Sequence, residues 1–174
     1  MPVTDERDIT ERDKIEHERL SALRDFWHDS RRDRALPVWR PCEPEGFQPW
    51  FGYLVVLRVE HAPRRYFVKL YGTQVVAYSG RDMTGKYLDV ELPESAIERT
   101  LAPLDRCVET ERPVYDRFVS ALPRATGRHL HRLVLPFGPE AGHVDVLLEG
   151  VYVDGWRYAG EFALADLYAA GAIP

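Results

Sequence analysis

Apolar positions along the chain follow two repeats. Tyr66, Val68 and Leu70 alternate with Arg65, Phe67 and Lys69, the two-residue period of a strand. Leu20, Leu23 and Trp27, with Phe26 beside them, recur at three and four, the period of one helix face. Ile97, Leu101, Leu104 and Val108 do the same, with Glu98, Arg99, Asp105, Arg106 and Glu109 elsewhere on that helix. These patterns predict helices over residues 10–34 and 94–109 and strands over residues 52–60, 64–71, 112–122, 128–137 and 143–152. A T-x-x-D pattern, Thr10 to Asp13, marks the start of the first helix, and residues 1–9 before it are expected to be frayed. Pro93 opens the second helix, and Pro103 inside it predicts a kink or a restart.

Residues 65–89 organise the rest. The strand ends at Gly72, Thr73 is placed to cap a short helix burying Val75, Val76 and Tyr78, and Gly80 and Gly85 provide turns. Asp82 and Thr84 are placed to accept hydrogen bonds from backbone amides in those turns. Residues 36–49 hold four prolines and no period, so they form an irregular connector whose Trp39 and Phe47, with Trp50 just beyond, pack on the sheet. After Asp154 the tail is apolar again, and a short helix over residues 161–171 is predicted.

Length and composition narrow this to one core with extensions: 174 residues, 45% hydrophobic, 29% charged. A net charge of −5 argues against general affinity for nucleic acid or anionic membrane. No apolar run approaches a membrane span, and the charged N-terminus lacks a signal-peptide core, so a cytoplasmic protein with reduced Cys42 and Cys107 is expected.

Four segments together resemble the PAS domain family: Y-F-V-K-L-Y-G-T, G-R-D-M-T-G-K, R-P-V-Y from Arg112 and R-L-V-L-P-F from Arg132. With Trp27 before the pair Leu36-Pro37, the chain looks most like a bacterial subgroup in which the PAS domain is nearly the whole protein. The likeness covers roughly residues 20–153. It implies an α+β fold, a five-stranded antiparallel sheet in the order 2-1-5-4-3 with short helices on one face. On that reading residues 1–36 are a helical extension, 37–153 the PAS-like domain and 154–174 a tail.

The resemblance also directs the functional reading. It implies a non-enzymatic sensory module that binds a small, apolar ligand or a protein partner, with output through dimerisation or partner contact. A ligand-free adaptor and a small α+β enzyme using Asp116 or His131 as base are the alternatives. Pocket candidates are Val68, Leu70, Val75, Ile97, Leu101, Leu104, Val108, Phe118 and Val146. Leu20, Leu23, Phe26 and Trp27 are candidates for a homodimer interface or for docking on the chain's own sheet.

Neither a cofactor nor a metal is expected. The stretch R-D-M-T-G-K-Y-L lacks the cysteine of light-sensing flavin domains, residues 94–111 lack a haem-ligating histidine, and two cysteines are too few for the iron–sulfur type. A flavin held without a covalent adduct stays open. His129, His131 and His143 fit solvent-facing or edge positions better than a metal site, and Cys107 has no histidine on its helix to activate it.

Overall fold

The computed structural model describes residues 5–8, 15–39 and 44–156. The frame of the molecule is one antiparallel sheet of six strands: β1 (Asp5–Asp8), β2 (Leu54–His61), β3 (Arg64–Tyr71), β4 (Val114–Val119), β5 (His129–Phe137) and β6 (Val146–Val153). They lie in the order β1-β4-β5-β6-β2-β3. Counted from β2, the last five give the 2-1-5-4-3 order of the α+β fold implied by the resemblance. The sixth strand is a difference. Residues 5–8, expected to be loose, pair with β4 and cover an edge that would otherwise present unpaired amides and carbonyls.

Helices fill both sides of the sheet: α1 (Glu18–Arg31), α2 (Thr73–Ser79), α3 (Leu88–Glu91) and α4 (Glu94–Thr110), with a 3-10 helix over Pro44–Trp50. The helix start expected at Thr10 lies outside the described residues, but residues 15–17 are not helical and α1 begins at Glu18. The tail helix over residues 161–171 and Cys42 also lie outside them. α4 runs through Pro103 as one helix, without a restart.

Directly paired residues share a face of the sheet, so the register sorts the side chains. One face carries Val55, Leu57 and Val59 of β2, Leu147, Glu149 and Val151 of β6, Arg132 and Val134 of β5, and Asp116 and Phe118 of β4. Helices α2 to α4 cover this face. Leu57 pairs with Val68, but Val56 pairs with Leu70, and Lys69 is left without a partner. This bulge inverts the alternation of β3. Tyr71, not Leu70, follows Val68 onto the helix-covered face, and Leu70 stands 47% exposed.

The opposite face belongs to α1. Gly150 makes the room: a Cβ there would meet Leu20 Cδ2 at 2.6 Å and Leu23 Cδ2 at 2.8 Å. Trp27 donates its indole N–H to the Pro136 carbonyl at 2.7 Å, and Leu20, Leu23 and Trp27 are all buried. Trp50 donates to the Arg19 carbonyl at 2.7 Å and ties the connector to the first turn of α1. Phe26 lies edge-on to Phe47, and Trp39 edge-on to Phe137. The stripe proposed for a dimer is therefore covered within the chain, because Gly150 lets α1 lie directly on β6. It is not free to face a second copy.

The turn after β3 is built without a side-chain cap. Gly72, not Thr73, is the N-cap of α2, and a Cβ there would collide with the Gly52 carbonyl. That carbonyl accepts the Gln74 amide at 2.8 Å. Gly80 closes α2 in the left-handed region at φ +79°, where glycine is free of the usual penalty. Asp82 accepts the Thr84 amide at 2.8 Å, and the Thr84 hydroxyl accepts the Tyr71 amide at 3.2 Å. No described helix is long and apolar enough to cross a membrane.

Candidate functional site

The helices do not fill the space above the sheet completely. Between β2, β5 and β6 below, and α2, α3 and the first turns of α4 above, lies an open cleft of about 930 Å³. Val55, Val75, Met83, Leu88, Leu92 and Val151 give it apolar walls. Tyr71, Ser79, Arg81, Glu91 and Arg99 stand among them as polar groups. The volume matches that of small-molecule sites, which pair apolar walls with a few placed polar groups.

The floor carries charge. Asp116 and Arg132 are direct cross-strand partners, and the guanidinium grips the carboxylate with two bonds, 2.9 and 2.7 Å. Asp116 is completely buried and Arg132 nearly so. Such a bidentate pair is the arrangement that best offsets the desolvation of both ions. Arg132 also reaches α4, donating to the Arg99 carbonyl at 3.1 Å and the Thr100 carbonyl at 3.3 Å. Pro103 explains the first contact. It has no N–H, so the Arg99 carbonyl loses its usual helical partner, and the guanidinium from the sheet replaces it. One arginine thus joins β4, β5 and α4.

Glu149 is the third charged group. Its side chain is directed to the cleft from β6, the central strand of β2, β6 and β5, and the residue is only 6% exposed. Its Oε1 lies 3.8 Å from an Arg132 nitrogen, within ion-pair range but beyond a hydrogen bond. Among the described residues, that oxygen has no hydrogen-bond partner. Burial pushes the carboxyl up to about 7, with Arg132 opposing and Asp116 adding to the rise.

At the rim, Arg81 donates to the Glu91 carbonyl at 2.8 Å, and Lys86 pairs with the Glu91 carboxylate at 3.4 Å. The Arg99 guanidinium lies 5.7 Å from the centre of the Phe118 ring. Burial raises the Tyr71 hydroxyl.

The far half of α4 is tied down separately. Tyr66 donates to Asp105 at 2.6 Å, and Arg64 donates to Glu109 at 2.9 Å. Burial, then the bond to Asp105, pushes the Tyr66 hydroxyl far above its usual range. Cys107 is buried with its thiol 3.7 Å from the Val134 carbonyl, away from the cleft.

Of the pocket candidates, Val75 and Phe118 line the cleft. Val68 and Leu104 are buried in the core beside it. Ile97, Leu101 and Val108 are half-buried on α4, whose cleft wall is formed instead by Ser95, Ala96, Arg99 and Thr100. Leu70 is turned outward by the bulge. Val146 pairs with Phe137 and Arg58 and lies on the face opposite Leu147, so the assumed face of β6 was inverted by one residue. The cleft residues that hydropathy missed are Arg132, Glu149 and Tyr71. Charged residues inside the apolar runs H-L-H-R-L-V-L-P-F and V-L-L-E-G-V-Y-V were the signal available for the first two.

The bases proposed for an enzyme are placed elsewhere or engaged. Asp116 has both oxygens on Arg132. His131 lies on the α1 side, with Nδ1 2.7 Å from the Tyr115 hydroxyl and Nε2 3.1 Å from Asp154, and its pKa is lowered chiefly by burial. His143 stands beside His61, ring centres 5.3 Å apart. Among the described residues, no three His, Cys, Asp or Glu side chains come together as a metal site.

A single antiparallel sheet with a flanking helix on one face and short helices over a cleft on the other defines an α+β single-sheet module. The chain belongs to the PAS domain family, whose profile matches residues 15–153. PAS domains are in general sensory and regulatory modules. Among solved structures, it is similar to an RNA-binding light-oxygen-voltage receptor, with a TM-score of 0.50 and 9% identity. The match covers 97% of this chain and 44% of that one, so this chain spans less than half of its structural relative. At that identity the likeness concerns the fold alone. No curated protein matches the chain.

Proposed function

We propose that this chain is a non-enzymatic sensory module that binds a small, largely apolar molecule in the cleft under α2, α3 and the start of α4. The observation that supports it is the cleft of about 930 Å³, whose largely apolar walls carry a few polar groups and whose floor carries Arg132 and Glu149. An adaptor with a filled core leaves an apolar-lined cleft of this size without a role.

The output follows from how α4 is held. Its second half is fixed by Tyr66 and Arg64, while its first turns form the cleft wall and meet the sheet through Arg132. A ligand seated there shifts the balance between two positions of the first turns, to the extent that it packs differently in each. A protein partner, or a second copy of the chain, reads that position.

The test uses a solvatochromic apolar dye, nile red, on the parent and on Ala96→Trp, which fills the cleft from α4. The parent should raise and blue-shift the dye emission, and the variant, folded by circular dichroism, should not. Equal emission from both, or none from either, overturns the reading.

A further inference from the structure

The cleft floor specifies the head group of its ligand, an inference that rests on the cleft being a binding site. We propose that the cleft takes an apolar molecule ending in a protonated amine, and that the Glu149 carboxylate receives that ammonium group. Two features carry this.

The first is the unpartnered oxygen. Glu149 lines the cleft, and its buried Oε1 accepts no hydrogen bond among the described residues. A buried carboxylate oxygen without a donor costs free energy, and a donor arriving with the ligand removes that cost. Arg132 does not supply it, at 3.8 Å and with its bonds directed to Asp116 and to the α4 carbonyls.

The second is charge balance. Asp116 and Arg132 neutralise one another, so ionised Glu149 leaves the floor one negative charge in excess. A hydroxyl group would supply a hydrogen bond but no charge, and a carboxylate would double the excess. An ammonium group supplies both and leaves the floor neutral, as buried charges require.

Charged and titratable groups facing Glu149 come from every neighbouring element: Arg132 from β5, Asp116 from β4, Tyr71 from β3, and at the rim Arg81, Glu91 and Arg99. The rim arginines are engaged, Arg81 with the Glu91 carbonyl and Arg99 over Phe118. The Glu91 carboxylate is held by Lys86, so the rim is net positive and the selection for an amine is made at the floor, by Glu149. Because the carboxyl has to be ionised to receive it, amine binding weakens as pH falls below the Glu149 value of about 7.

The experiment compares octylamine, octanol and octanoate, three probes that share a chain and differ in head group. Affinities are read by calorimetry on the full chain at about pH 8, with the parent and with Glu149→Gln. The parent should bind octylamine at least about tenfold more tightly than octanol, and octanoate least. Glu149→Gln should lose the preference for the amine, binding octylamine no more tightly than octanol. Equal affinities, or a preference for octanoate, overturn the head-group assignment while leaving the cleft as a binding site. Retained preference in Glu149→Gln does the same. Failure of all three probes to bind the folded parent removes the assignment together with the cleft reading beneath it.

Discussion

Glu149 and Arg132 are the residues whose chemistry departs most from their surroundings. For Glu149 the folded value of about 7 lies above its ordinary 4.5. An acid raised on folding contributes stability that is fully present below the lower value and is lost as pH rises through the upper one. The loss between about pH 4.5 and about pH 7 is of the order of 3 kcal/mol. Glu149→Gln has no proton to lose there. Urea denaturation of parent and variant across about pH 5 to about pH 8 should show the variant gaining relative stability as pH rises, and a constant difference would refute the burial account. Arg132→Met leaves Asp116 buried without its partner and the Arg99 carbonyl without a donor. It should cost about 3–5 kcal/mol by the same method. A loss under about 1 kcal/mol would mean that water replaces the guanidinium. Neither residue was legible as a site member from hydropathy, because a period-two reading sorts apolar residues and treats a charge in the run as exposed.

At the scale of elements, the strands, their order and the long helices were readable, since each rests on a sustained period or on the resemblance. Faces were less readable. The bulge at Lys69 shifts the parity of β3 partway along, so Leu70 and Tyr71 exchange sides, and nothing in R-Y-F-V-K-L-Y announces it. On β6 both parities are apolar except at Glu149 and Gly150, so alternation could not separate the helix face from the α1 face. Gly150 marks the second of these, because only its missing side chain lets Leu20 and Leu23 approach. Gly150→Val should lift α1, costing about 1–3 kcal/mol. Hydrogen exchange should then quicken over residues 18–31 and stay unchanged in α4. A uniform acceleration would contradict local docking. Leu104→Ala, deep in the core, should cost about 2–5 kcal/mol. Leu70→Ala should stay within about 0.5 kcal/mol, since the bulge turns Leu70 to solvent.

For the molecule as a whole, the two faces of the sheet divide the work. On one, α1 and the aromatic connector pack on β5 and β6. On the other, α4 is pinned at its far end and bridged by Arg132 at its near end, which leaves the cleft open between. On the proposed function, the half of α4 bridged by Arg132 is where a ligand would act. That division is what the proposed sensing role would use. Native mass spectrometry of the freshly purified chain, compared with its denatured mass, tests this most directly. Small-molecule sensing predicts a discrete mass excess in the folded state that disappears on denaturation and is absent from Ala96→Trp. A parent that carries no excess mass, and acquires none after incubation with an extract of small molecules, would contradict it.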